Sequence, residues 1–195
     1  ANAALSDTRS QLEQLPLFLS PPLGRQVASS EQLSPTHVSE PSLSWIREQL
    51  GKRYGSDRLV VQWHAYQAST ATRILSYVDV IVDEQIWSLL SYFERYAFIA
   101  QFGTAAKQYG YHLRVFHSGD LLNYDEAQTI DENPRLALRG AYICNFLTPD
   151  HTFPDYTSSD HTSPDRTAPS PISPDRISEI PCDILLNEVS RREIR

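Results

Sequence analysis

The chain has 195 residues and a formal net charge of −7, with 17 basic and 24 acidic side chains. This acidic balance, without any local basic run, excludes the electrostatic footprint of a protein that binds duplex nucleic acid. Twelve of the 13 prolines lie outside residues 42–146, whereas seventeen of the twenty aromatic residues lie inside. The sequence therefore predicts one folded core with an arm on each side.

Composition divides the chain into four segments. Residues 1–41 and 147–179 are rich in Ser, Thr, Pro and Asp. They are predicted to be disordered arms, because their few large apolar side chains cannot offset the entropy of ordering the backbone. A short amphipathic helix at residues 6–15 is the alternative for the first arm. Residues 42–146 are the predicted globular core. Residues 180–195, where apolar side chains return, are predicted to form a short amphipathic segment.

The first half of the core reads as a helix followed by a hairpin. A helix is predicted from residue 42 and is closed by a glycine at 51 or 55. Residues 58–66 and 77–82 alternate in side-chain character with a period of two, which is typical of strands. A polar connection over residues 67–74 predicts an antiparallel hairpin with a long loop. Asp79 lies opposite the valines of its strand and is predicted to be exposed.

The longest helical pattern covers residues 84–109, with Asp83 as its predicted N-cap and Gly110 at the C′ position. Two sets of apolar side chains together cover more of the helix circumference than the single apolar face of a surface helix. The helix is therefore expected to be deeply buried, bent near Gly103, or covered on two sides. The first set is Ile86, Leu89, Leu90, Phe93, Ala97 and Ala100, and the second is Trp87, Phe98, Ile99, Phe102, Ala106 and Tyr109.

Two further strands are predicted at residues 111–117 and 140–146, separated by an acidic loop. The predicted fold class is therefore α+β. It comprises a four-stranded, mostly antiparallel sheet made of two hairpins, one long helix and an N-terminal helix on one face, and disordered flanking arms. In the C-terminal segment, Ile184, Leu185 and Val189 could form two helical turns that dock either onto a partner or onto the protein's own core.

Candidate chemical groups are few. His112, His117 and Asp120 are the nearest approach to a catalytic or metal-binding cluster, but residues five apart on a strand point to opposite faces. Cys144 alternates in phase with the aromatic residues of its strand and is predicted to be a core residue rather than a nucleophile. No glycine-rich phosphate loop is present. The sequence therefore predicts no catalytic residue, no metal site and no cofactor.

Cysteine usage bears on the compartment. The two cysteines, Cys144 and Cys182, lie in a predicted buried strand and at the end of the acidic arm, so no disulfide is expected between them. This cysteine usage predicts a reducing compartment and therefore a soluble, cytoplasmic protein. No membrane association is predicted, because no stretch approaches the length of an apolar membrane span.

Several segments of the core resemble hypothetical proteins of cyanobacterial genomes. They include residues 61–66, 78–82, 92–96, 109–116 and 141–146, and the resemblance covers the core without either arm. It implies a bacterial cytosolic protein and brings with it no activity, ligand or site residue.

The sequence predicts a non-enzymatic protein-interaction or regulatory module. The core would bind a protein partner through an exposed aromatic sheet face or the surface of the long helix, and the flexible acidic tail would add a tethered contact. The alternatives are a single-stranded RNA binder using the same sheet face and an enzyme of unidentified class. A homodimer is a further option. The predicted partner-binding residues are Trp63, Tyr66, Tyr77, Tyr111, Ile184, Leu185 and Val189.

Overall fold

The computed structural model describes residues 2–17, 19, 24–29, 58–71, 73–119, 138–146 and 174–187. They form an α+β fold around one six-stranded sheet whose strands follow chain order across the sheet. The strands are β1 (Gly24–Ser29), β2 (Val60–Ser69), β3 (Ile74–Val82), β4 (His112–His117), β5 (Gly140–Cys144) and β6 (Cys182–Leu186). The helices are α1 (Asn2–Gln14), α2 (Glu84–Leu89), α3 (Tyr92–Gln108) and α4 (Pro174–Ile177).

The predicted α+β class is confirmed, but the sheet is mixed and larger than predicted. Neighbouring strands pair antiparallel except β3 and β4, which pair in parallel because α2 and α3 carry the chain back across the sheet between them. Both predicted hairpins are present. The first is tighter than expected, because β2 and β3 extend to Ser69 and Ile74 and the Thr70 N–H donates to the carbonyl of Arg73 at 2.8 Å.

The predicted long helix is two helices, α2 and α3. Asp83 caps α2 as expected, with its carboxylate accepting from the Ile86 N–H at 2.9 Å. The break falls at residues 90–91, where Ser91 and Glu94 form a reciprocal capping box that starts α3. Gly110 ends the helix with a φ of 80°, as its predicted C′ position requires.

One face of the sheet packs against α2 and α3. Its core contains Trp63, Val80 and Val115 from the strands, and Trp87 and Phe102 from the helices. A β-carbon added at Gly103 would collide with the Tyr142 side chain, so glycine lets α3 lie close over β5 at this point. Gly103 is thus a position of close approach, and α3 continues through it without a break.

The opposite face packs against α1, where the sequence favoured a disordered arm over a short helix at residues 6–15. Leu5 and Leu12 of α1 are buried with Tyr66, Tyr77 and Ile143 of the sheet. Residues 24–29 add the edge strand β1 next to β2. The expectation of a disordered arm is therefore wrong for α1 and β1, and the expectation that helices cover one face alone is wrong as well.

At the C-terminal side, β6 pairs antiparallel with β5. Residues 182–186 form this strand, so the predicted helical turns do not include them. The predicted helix starting at residue 42, most of the acidic loop and the Pro-rich repeat lie outside the described residues.

Candidate functional site

The predicted aromatic sheet face is not a surface. Trp63, Tyr66, Tyr77 and Tyr111 are all buried. Trp63 and Tyr111 lie in the layer under α2 and α3, whereas Tyr66 and Tyr77 stack on each other at 5.5 Å between ring centroids in the layer under α1. Because a base-stacking or protein-binding platform needs accessible rings, the prediction that these four residues form one is wrong.

The predicted tail contact is also different in the structure. Ile184 and Leu185 are half-buried on β6, where they pair with Tyr142 and Ala141 of β5. Lys107 of α3 adds a buried hydrogen bond from its ammonium group to the carbonyl of Ile180 at 3.0 Å. Residues 180–186 therefore belong to the protein's own core. Val189 lies outside the described residues.

The two cysteines form a disulfide across β5 and β6. Cys144 and Cys182 are directly opposite each other in the strand register, and the bond closes a sequence separation of 38 residues. The prediction that they stay unpaired is wrong, because the unpredicted strand β6 brings Cys182 beside Cys144. Burial of Cys144, predicted from its alternation with Tyr142, is confirmed. As one half of a disulfide, this sulfur is not a free thiol.

The two histidines predicted as candidates are buried on β4. His112 accepts a hydrogen bond at Nδ1 from the backbone N–H of Cys144 at 3.1 Å, just beyond the last registered pair of the β4–β5 ladder. Burial, helped by the charge of Arg73, lowers the pKa of His112 to about 3. Asp120 lies outside the described residues. Among those that are described, no group of three or more potential metal ligands gathers.

The most heavily buried charges belong to Asp79 and Arg114, which the register places opposite each other on β3 and β4. Arg114 donates from Nε and Nη2 to the two carboxylate oxygens, at 2.6 and 2.5 Å. Burial raises the pKa of Asp79 to about 6, and the guanidinium of Arg114 opposes that rise. The prediction that Asp79 is exposed is wrong, because α1 covers this face. The pair positions α1 and has no access to solvent.

A set of large apolar side chains does reach solvent where α2 meets α3. Leu89 is 85% exposed and Phe93 80%, while Tyr92 and Tyr96 are 48% and 43% exposed. We call these four residues the aromatic corner. Tyr92 contacts Phe93 edge-on and stacks against Tyr96, with centroid distances of 5.7 and 6.5 Å. Their exposed area is roughly 500 Å², as large as the patches that are often functional on monomeric proteins.

The backbone beneath the aromatic corner is held firmly. Ser91 and Glu94 satisfy each other's N–H groups in the capping box. Arg95 donates to the carbonyls of Trp87 and Ser88 at 3.1 and 3.3 Å, and its guanidinium lies 5.8 Å from the centroid of the Trp87 ring. The end of α2 is therefore tied to the start of α3, and the four side chains project from a defined surface.

The sequence contained the signal for this surface. The first apolar set of the long helix included Leu89 and Phe93, and the second included Trp87 and Phe98, which the structure buries. Together, the two sets predicted a helix that is deeply buried, bent near Gly103 or covered on two sides. Tertiary packing buries all of the second set except Tyr109, which is half-buried, and leaves the aromatic corner exposed.

Comparisons with protein-family models, with curated proteins and with solved structures find no match for this chain. The resemblance to cyanobacterial hypothetical proteins therefore stays a prediction. Among the described helices, none combines the length and the apolar composition that a membrane span requires.

Proposed function

We propose that this chain is a non-enzymatic protein-binding module whose contact surface is the aromatic corner. The observation that carries the proposal is the exposure of Leu89 and Phe93 at 85% and 80% on a capped, internally hydrogen-bonded helix junction. Covering either side chain in a complex would contribute about 1.5–3 kcal/mol from apolar burial. Aromatic residues are also over-represented among the side chains that dominate binding energy at protein interfaces.

The surroundings of the aromatic corner suit a protein contact. The four side chains offer apolar area together with two phenol groups. Side chains that combine an apolar ring with a polar group are enriched at protein interfaces. Since Ser91, Glu94 and Arg95 already order the backbone, little conformational entropy would be lost when a partner binds.

The buried titratable groups support a binding role rather than catalysis. Cys144 is held in the disulfide, Asp79 is paired with Arg114, and His112 accepts from a backbone N–H. Each of these three groups is buried and bonded within the fold, so none of them is presented to a substrate. We therefore retain the prediction that the chain is not an enzyme.

Two parts of the sequence-based hypothesis need revision within this proposal. Ile184 and Leu185 do not serve the tethered contact as predicted, because residues 182–186 pair with the protein's own sheet. The cytoplasmic location stays a prediction, and the Cys144–Cys182 bond weighs against the reducing compartment on which it depended.

The proposal is tested by photo-crosslinking from the aromatic corner in native cell extract. The full chain would carry p-benzoylphenylalanine at position 93 or, as a control, at position 74. Ile74 is also apolar and 69% exposed. It lies at the opposite end of β3 from α2, roughly 25 Å away along the strand. We expect a discrete protein adduct from position 93 that Leu89→Ser suppresses. Equal labelling from both positions, or no adduct from position 93, would contradict the proposal.

A further inference from the structure

The aromatic corner continues along the outer surface of α3 as an uncharged stripe. Phe93, Ala97, Ala100 and Thr104 follow one another at spacings of four, three and four residues, so they share one face of the helix. Phe93 and Thr104 are exposed, and the two alanines are half-buried. This spacing is the one with which two helices pack along a common seam.

The helix directs no free charge toward this stripe. Its charged residues are Glu94, Arg95 and Lys107. Glu94 is used in the capping box, Arg95 binds backbone carbonyls of α2, and the ammonium group of Lys107 binds the carbonyl of Ile180. A solvent-exposed helix face normally carries charged side chains. The chain as a whole has a net charge of −7, but the stripe itself is uncharged. It therefore gives a charged partner no complementary group. Two identical uncharged stripes also do not repel each other.

The stripe is also graded in size. Its N-terminal half carries the bulky Phe93, with Tyr96 beside the stripe on the same helix, whereas its C-terminal half carries Ala100 and Thr104. Two identical stripes placed side by side in parallel would set bulky residues against bulky ones. Placed antiparallel, each bulky half would lie over the small half of the other, which is the complementarity that close helix packing requires.

We infer that the occupant of this surface is a second copy of the same chain, joined through antiparallel packing of two α3 helices about a twofold axis. The inference rests on the proposed function and names its partner. A twofold interface is isologous, so Phe93 of each copy packs over Ala100 of the other. The two aromatic corners alone would bury roughly 1,000 Å² in total, the lower bound for a specific interface, and the small halves would add to it.

The test is sedimentation equilibrium of the purified full chain over micromolar to near-millimolar concentrations. We expect a concentration-dependent dimer whose dissociation constant rises at least tenfold in Phe93→Glu and is unchanged in Ile74→Glu. The second substitution adds the same charge at an exposed apolar position away from α3. Both sites are on the surface, so at concentrations well below the dimer dissociation constant the unfolding midpoints of the variants should stay close to that of the wild type. A chain that is monomeric throughout, or a dimer indifferent to Phe93→Glu, overturns the inference.

A size exchange tests the antiparallel arrangement itself. Phe93→Ala leaves a gap over Ala100, and Ala100→Phe crowds Phe93 of the other copy, so each single variant should weaken the dimer. The double variant Phe93→Ala/Ala100→Phe restores one bulky and one small residue at each contact and should recover most of the affinity. A double variant weaker than either single variant overturns the inference.

Failure of this inference and failure of the proposed function give different results. A monomeric chain that still forms a discrete adduct with another protein from position 93 overturns the second copy as the partner and leaves the binding function standing. A monomeric chain without any adduct overturns both.

Discussion

Arg114 of β4 lies directly opposite Asp79 of β3, and the two buried side chains are joined by two charge-assisted hydrogen bonds. The remaining N–H groups of the guanidinium donate to the carbonyls of Leu12, Leu15 and Pro16 at the end of α1, at 2.6, 2.7 and 3.1 Å. All five donors of Arg114 are thereby used. The cation lies at the C-terminal end of α1, where the helix dipole favours positive charge.

Replacing Arg114 with Met should strongly destabilise the fold. The substitution leaves the carboxylate of Asp79 buried without its partner and frees three carbonyls of the α1 end, so we expect a loss of about 3–5 kcal/mol in the free energy of unfolding. Urea unfolding of the wild type and the variant measures it.

The double variant Arg114→Met/Asp79→Leu is the control for this prediction. It removes both charges together, and a loss well below that of the single variant is expected. A single variant as stable as the wild type would show that the buried pair is not formed.

The docking of α1 on the sheet can be tested separately from the ion pair. Leu12 is buried between α1 and the second face of the sheet, whereas Gln14 of the same helix is exposed. Leu12→Ala should cost about 2–5 kcal/mol through lost burial and the cavity left behind, and Gln14→Ala should change stability by less than about 0.5 kcal/mol. Equal, small effects in urea unfolding would mean that α1 does not pack on the sheet.

The sequence predicts the central part of this fold well, because that part follows local periodicity. Alternation in residues 58–66 and 77–82 gives β2 and β3, and Asp83 and Gly110 mark the outer ends of the α2–α3 pair. The sequence allows a short amphipathic helix at residues 6–15 but favours disorder there, because the leucines of α1 are sparse and because Arg114 holds the helix through backbone carbonyls, which leave no side-chain pattern.

The candidate site could be predicted only in part. The sequence shows that the long helix has two apolar sets, but periodicity cannot tell which set faces the sheet. Phe98 and Phe93 are the same residue type in the same helix, yet Phe98 is buried and Phe93 is exposed. The strand β6 is missed for a related reason: a short apolar run such as residues 182–186 fits a helix as well as a strand until the pairing with β5 decides.

The disulfide between Cys144 and Cys182 should make a large contribution to stability. It closes a loop with a sequence separation of 38 residues, and a chain-entropy estimate for a loop of that size gives about 4 kcal/mol. Cys182→Ala and chemical reduction of the wild type should each lower the free energy of unfolding by this order, because both open the same loop. Reductant should leave the free energy of unfolding of the Cys182→Ala variant unchanged. Two free thiols titrated in the unreduced, denatured chain would contradict the bond itself.

His112 should make the fold sensitive to acid. Its pKa is about 3 in the folded protein and about 6.5 in the unfolded chain, so between these values the unfolded state binds the proton and the folded state does not. Stability should therefore fall as the pH drops below about 6, by up to about 1.4 kcal/mol for each pH unit from this residue. His112→Asn keeps an acceptor for the Cys144 N–H and removes the titration.

The free energies of unfolding of the wild type and of His112→Asn, measured in urea at pH 7 and pH 5, isolate the contribution of His112. Asp79 titrates in the same range with the opposite sign: its pKa of about 6 lies above the unfolded value, so its contribution is present at low pH and is lost as the pH rises through 6. That contribution is common to both proteins and cancels in their difference. We expect the wild type to lose more stability than His112→Asn between pH 7 and pH 5, and an equal loss in both would show that His112 is not buried in its neutral form.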